Sequence, residues 1–87
     1  MEDLSRTIDV QEKAVQVTSE DHPDLPMWLN NLGISLRNRY LRQGSMEDLS
    51  RAIDVQEKAV QATPEDHPAF PVRLNNLGNS LGDRYLR

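Results

Sequence analysis

Leu-Asn-Asn-Leu-Gly at residues 29–33 recurs unchanged at residues 74–78, a spacing of 45 residues. The sequence on both sides recurs with it, so that residues 1–42 align with residues 46–87. Of the 42 aligned positions, 32 are identical and 10 differ. The chain therefore consists of two copies of one unit. Repetition at a fixed period of this length is typical of solenoids, in which each unit buries its apolar face against its neighbours.

Apolar residues recur at helical spacing within each copy. In the first copy Leu4, Ile8 and Val15 form one stripe, the pattern of an amphipathic helix. The segment around the repeated pentapeptide has the same periodicity. We predict an all-α fold, an antiparallel helix-pair solenoid without strands. Its four helices are expected at about residues 2–18, 24–42, 46–63 and 69–86 of a single domain.

Capping and turn residues mark the helix ends. Asp24 is a candidate cap for the second helix, with Asp21 as the alternative if that helix begins earlier. Gly44 ends the helix, and Ser45 with Asp48 three residues later predicts a capping pair for the third. Because only a short turn joins the second and third helices, they are expected to lie antiparallel and in contact.

The differences between the two copies separate two faces of the second and fourth helices. At about 100° per residue, the leucines of the pentapeptide share one face with Leu36, and all of them are unchanged in the second copy. Several positions that change lie on the opposite face, so the leucine face is the packed one. The residues we expect to be buried are Leu29, Leu32, Leu36, Leu74, Leu77, Ile53 and Ala59.

Gly33 and its equivalent Gly78 lie on the packed face, within predicted helices. Glycine inside a helix costs about 1 kcal/mol relative to alanine. Close approach of a neighbouring helix is the expected reason for a glycine there.

Composition excludes several classes of protein. The net charge of −4 argues against nucleic-acid binding, which requires a clustered positive field. Cysteine is absent, so no disulfide or thiolate metal site can form. No apolar run has membrane-spanning length, and the first residues are acidic where a signal peptide is basic. We expect a cytoplasmic protein, or a soluble piece of one.

No residue pattern predicts catalysis or a cofactor. His22 and His67 each precede a proline at equivalent positions, which favours a role at the helix entry over chemistry. Acidic pairs lie at or before helix starts, where the helix dipole accounts for them. Trp28 is the sole tryptophan and is either an anchor for a partner or half-buried under the preceding loop. We expect no enzymatic activity, no cofactor and no metal.

Leu32-Gly33, Ala52, Ala59 and Pro64 carry a family likeness. Their order resembles the tetratricopeptide repeat, in which helix A carries the Leu-Gly pair, helix B two spaced alanines, and a proline closes the unit. The longer repeat, with a Glu-Asp-His-Pro entry at residues 20–23 followed by Leu-Asn-Asn-Leu at residues 29–32, resembles the repeats of kinesin light chains and, more closely, the repeat arrays of fungal signalling proteins. The chain departs from the family by starting with a B-type helix, so only residues 24–63 form a complete unit.

The resemblance implies a scaffold for protein–protein interaction, whose A helices line a concave groove for a peptide or protein segment. Two functions remain open: peptide binding in this groove, with Asn30 and Asn75 as a two-rung ladder for the peptide backbone, or self-assembly through open helix ends. Asn30 and Asn75 can equally hydrogen-bond a neighbouring helix and set the superhelical angle. The predicted groove residues are Met27, Asn30, Ile34, Arg37 and Asn38 with Val72, Asn75, Asn79 and Asp83.

Overall fold

The computed structural model describes residues 4–85, which form four α-helices and no strand. The helices are α1 (Leu4–Gln16), α2 (Leu25–Gln43), α3 (Met46–Gln61) and α4 (Phe70–Tyr85). The predicted all-α, four-helix architecture is confirmed. None of these four helices is both long and apolar enough to cross a membrane.

Helix α2 lies at the centre and contacts each of the other three helices. Arg39 pairs with Asp48, and Gly33 lies against Gln56, so residue numbers fall along α2 as they rise along the facing α3. The two helices are therefore antiparallel.

Helices α2 and α4 run parallel. Asn30 bonds to Asn76 and Arg37 to Asp83, and both pairs keep an offset of 46 residues. The repeated helices thus lie side by side.

The start of α2 differs from the prediction. Asp24 occupies the N-cap position, but its backbone is helical and its side chain makes no capping hydrogen bond. Its N–H instead donates to Nδ1 of His22 at 3.0 Å. Ala69 in the second copy donates in the same way to Nδ1 of His67 at 2.9 Å. Since alanine has no capping side chain, the histidine turn, rather than an aspartate cap, precedes both helices.

The turn between α2 and α3 has the predicted caps. Gly44 has a φ of 76°, in the left-handed region that favours glycine, and its N–H donates to the carbonyl of Tyr40 at 2.7 Å. The Oγ of Ser45 accepts from the N–H of Asp48 at 3.4 Å and caps α3. The Asp48 carboxylate turns to Arg39 on α2 instead of completing a reciprocal capping pair.

The core surrounds α2. Both of its apolar clusters join leucines of α2 to alanines of α3, and α1 adds Ile8. Burial is confirmed for five predicted residues: Leu29, Leu32, Leu36, Ile53 and Ala59.

The predicted burial of Leu74 and Leu77 is wrong. Leu74 is 47% exposed, whereas the equivalent Leu29 is 5% exposed, and Leu77 is half-buried. The physical reason is the number of neighbours. Helix α2 packs against α1, α3 and α4, whereas α4 contacts only α2 and α3 within residues 4–85. Identical side chains therefore have different burial.

Gly33 is the point of closest approach between α2 and α3. A Cβ added there would clash with Cγ of Gln56 and lie 3.0 Å from its Cδ. At Gly78 the same Cβ would meet nothing within 4 Å. The predicted close approach therefore holds for the first glycine, whereas the second lies on the uncovered face of α4.

Candidate functional site

The nine residues predicted to line the groove form one stripe on each of two parallel helices. On α2 and on α4 they follow one another at spacings of three or four residues, or are adjacent, which is one side of a helix. We call the surface made by these nine residues the α2–α4 surface. Six of the nine are exposed: Met27, Ile34, Asn38, Val72, Asn75 and Asn79.

Asn30 differs from its repeat equivalent Asn75. Asn30 is 8% exposed, and its Oδ1 accepts a hydrogen bond from Nδ2 of Asn76 at 3.2 Å. Asn75 is exposed. The two asparagines therefore do not form equivalent rungs: Asn30 joins α2 to α4, and Asn75 presents its amide to solvent.

Arg37 and Asp83 form a bidentate ion pair between the two helices. Nε of Arg37 donates to Oδ2 of Asp83 at 2.5 Å, and Nη2 donates to Oδ1 at 3.2 Å. Both side chains are partly buried. At these positions the two copies differ, with Gly82 matching Arg37 and Asn38 matching Asp83. The ion pair between the two copies therefore depends on residues that differ between them.

A small cavity of about 110 Å³ opens on the α2–α4 surface. Four of the nine predicted residues line it, whereas Met27, Val72 and Asn75 lie outside its lining. Its walls are mostly carboxamides, with one guanidinium and one apolar side chain. The lining residues are Ile34, Arg37, Asn38, Gln56, Asn76 and Asn79.

Two residues of the lining, Gln56 and Asn76, were not among the groove residues predicted from the sequence. Gln56 lies on α3 and reaches the cavity past Gly33, where the glycine leaves room for its side chain. Gly33 was the signal in the sequence that could have indicated Gln56. A glycine on the packed face of α2 predicts that a side chain of the facing helix lies against it. Asn76 belongs to the repeated pentapeptide, but its equivalent Asn31 is exposed, so the repeat pattern alone did not distinguish it.

A larger groove of about 620 Å³ lies between the C-terminal ends of α1 and α3. Its floor is Leu25 and Leu29, which are buried, and its rim carries charged side chains such as Lys58 and Glu20. The groove contains none of the nine predicted residues. Its lining also includes Val15, which is half-buried, and Ala62, which is exposed.

The two histidines and the tryptophan contact the turns that precede α2 and α4. The ring of Trp28 is half-buried and stacks on His22 with ring centres 5.3 Å apart. This is the second of the two alternatives for Trp28, a place under the preceding loop. Both histidines accept a backbone N–H at Nδ1, as described above. Within residues 4–85 no group of three or more acidic or histidine side chains is arranged to hold a metal.

Comparison with known families agrees with this architecture. Residues 27–69, from the first turn of α2 to the start of α4, match the model of the tetratricopeptide repeat. The match and the four helices support a repeat protein of the tetratricopeptide type. Repeats of this family generally mediate protein–protein interactions on a non-catalytic scaffold. No curated protein and no solved structure matches the chain.

Proposed function

We propose that this chain is a protein-interaction module that binds an extended peptide along the α2–α4 surface. The observation that carries the proposal is the exposure of apolar side chains there. Met27 is 42% exposed, Ile34 38% and Val72 60%. Exposed apolar side chains grouped beside polar ones on one surface are typical of an interaction site.

The polar residues of this surface suit a peptide main chain. Asn38, Asn75 and Asn79 are exposed carboxamides. Each offers a donor and an acceptor, so it can bond to a peptide unit whatever side chains that peptide carries. The Arg37–Asp83 pair leaves the centre of the surface without net charge. A predominantly neutral peptide is therefore the proposed ligand.

We further propose that, among tetratricopeptide repeats, the chain belongs with the long-period arrays of kinesin light chains and fungal signalling proteins, because its repeat spans 45 residues. We propose that it works in the cytoplasm, without enzymatic activity and without a cofactor.

A matched pair of substitutions tests the binding surface. Random peptides displayed on phage are selected on the wild-type chain, and Kd is measured by fluorescence anisotropy for the best of them. Val72→Glu places a charge on the α2–α4 surface and should weaken binding by about tenfold or more. Val10→Glu is the control, because Val10 is 61% exposed on α1 and lies outside the surface. Equal Kd values for both variants would reject the site, and failure to select any peptide would reject the function.

Self-association is a second candidate function, favoured by the uncovered face of α4. That face carries Leu74 and Gly78, the equivalents of the residues with which α2 receives α3. Over the length of α1, residues 4–16 match residues 49–61 of α3 at 12 of 13 positions, with Thr7 in place of Ala52. Helix α1 of a second copy therefore offers α4 nearly the sequence that α3 offers α2.

The mass in solution tests this candidate. Sedimentation of the wild-type chain over a range of concentrations should show species heavier than the 9.9 kDa monomer. Leu74→Glu or Leu81→Glu should restore the monomer, because either places a charge on the contact face. A wild-type chain that stays monomeric at high concentration excludes self-association.

A further inference from the structure

We propose that the small cavity on the α2–α4 surface is a recognition site for one carboxamide side chain, asparagine or glutamine, of the bound peptide. This inference rests on the proposed function and specifies it. The cavity is lined by residues of three helices, α2, α3 and α4, so its shape depends on the packed repeat pair.

The central observation is the amide of Gln56. The residue is 1% exposed, and neither Oε1 nor Nε2 has a hydrogen-bond partner among residues 4–85. A buried polar group without a partner destabilises the folded chain, so native structures seldom retain one. Its side chain lines the cavity. Both amide atoms are covered in the free chain, so a ligand bonds to them only if the end of the Gln56 side chain turns toward the cavity, and those bonds would remove this destabilisation.

The chemistry of the lining selects the ligand. An amide offers one acceptor oxygen and a donor nitrogen, and its complement must supply a donor and an acceptor side by side. Another carboxamide does so. A carboxylate supplies acceptors only, and an aliphatic side chain supplies neither.

Charge and size point to the same ligand. The one charged residue of the lining, Arg37, is already paired with Asp83, so a carboxylate would enter without an available counter-ion. The remaining polar residues, Asn38, Asn76 and Asn79, are neutral. A cavity of about 110 Å³ has room for several water-sized groups, so a side chain of four or five heavy atoms fits.

The repeat supplies a matched control. Gln11 on α1 is the equivalent of Gln56, and its Oε1 is also buried without a partner among the described residues. Gln11 does not line the cavity. Gln56→Met and Gln11→Met each keep the length of the side chain and remove the amide. Only the first should affect peptide recognition.

The test uses a peptide selected on the wild-type chain and measures Kd for variants of both partners. Selected peptides should share an asparagine or glutamine at one position. Replacing that residue by leucine or aspartate should weaken binding to the wild type by roughly tenfold. Against Gln56→Met the same replacements should have little effect, and against Gln11→Met the full loss should remain.

Melting temperature separates this role from a structural one. If the amide serves a ligand, Gln56→Met removes an unpaired buried group and should raise the melting temperature of the free chain while weakening peptide binding. A lower melting temperature with unchanged preference would assign Gln56 to packing. Asn79→Ala, at an exposed residue of the lining, is a second variant that should weaken peptide binding without lowering the melting temperature, and unchanged binding would count against the site.

The results distinguish failure of the carboxamide recognition site from failure of the peptide-binding surface. Peptides that bind with no carboxamide preference, equally to wild type and Gln56→Met, overturn the recognition site and leave the binding surface standing. If no peptide binds the wild-type chain, both the site and the surface fail.

Discussion

Arg39 and Asp48 form a bidentate ion pair across the turn between α2 and α3, with Nε and Nη2 each 2.8 Å from a carboxylate oxygen. Nη1 of the same arginine donates to Oγ of Ser5 on α1 at 3.2 Å. The hydrogen bonds to Asp48, with the negative charge of that carboxylate, raise the pKa of Arg39 above its ordinary value. One guanidinium therefore joins three helices.

Loss of this pair should cost more than loss of the other arginine–aspartate pair. Asp48→Ala leaves the half-buried charge of Arg39 without its hydrogen-bonded partner, and we expect a loss of about 1.5–3 kcal/mol in unfolding free energy. Asp83→Ala breaks the more exposed pair with Arg37 and should cost less than about 1 kcal/mol. Urea denaturation measures both. Similar losses would mean that burial does not set the strength of these pairs.

The two repeated glycines should respond to alanine with opposite signs. At Gly78 the new methyl group meets no atom within 4 Å, so the higher helix propensity should stabilise the chain by about 1 kcal/mol. At Gly33 it collides with the stem of Gln56, and overpacking typically costs about 1–3 kcal/mol. Gly33→Leu should be worse still and Gly78→Leu milder. Thermal denaturation gives the signs, and the same sign at both positions would contradict the α2–α3 contact.

The repeated leucines provide a test of packing. Leu29→Ala empties a core position that is 5% exposed and should cost about 2–5 kcal/mol. Leu74→Ala, at a residue 47% exposed, should cost less than about 1 kcal/mol in a monomeric chain. Both are measured by chemical denaturation at low concentration. A large loss at Leu74 that grows with concentration would instead show that a second copy covers it.

Substitution of the two asparagines of the predicted ladder, Asn30 and Asn75, should have different effects. Asn30→Ala removes the acceptor of Asn76 and should lower stability by about 0.5–1.5 kcal/mol. Asn75→Ala, at an exposed residue, should leave stability within about 0.5 kcal/mol and weaken binding of a selected peptide. Melting curves and anisotropy on the same samples decide. Equal melting temperatures for both variants would contradict the Asn30–Asn76 bond.

Local sequence determined the helices, the Gly44 turn and the packed face of α2, because caps, periodicity and repetition act within one element. It could not determine the burial of Leu74, since the sequence around Leu74 is nearly that of Leu29 and the difference lies in which helices surround it. The same holds for Gln56, whose place at the cavity depends on a residue 23 positions earlier, Gly33. The burial of Leu74 and the position of Gln56 both depend on contacts between the two copies. Aligning one copy with the other does not reveal those contacts.

The arrangement of the candidate surface on α2 follows from the sequence in part. Helical periodicity selects which side chains share a side of α2, so it predicted that Met27, Ile34 and Asn38 lie on one side of that helix. Periodicity does not reveal that Arg37 is held by Asp83, because that bond joins two helices at non-equivalent positions of the repeat.

Arg37 and Asp83 are 46 residues apart, one more than the repeat of 45, so the ion pair joins non-equivalent positions of the two units. Whether it can form therefore depends on the order of the units. Two first units in succession would set Arg37 against asparagine, two second units would set Gly82 against aspartate, and the reversed order would set glycine against asparagine. None of these arrangements forms the ion pair. Near-identical repeats are prone to pairing with the wrong neighbour while they fold. The Arg37–Asp83 pair therefore forms only where a first unit is followed by a second unit.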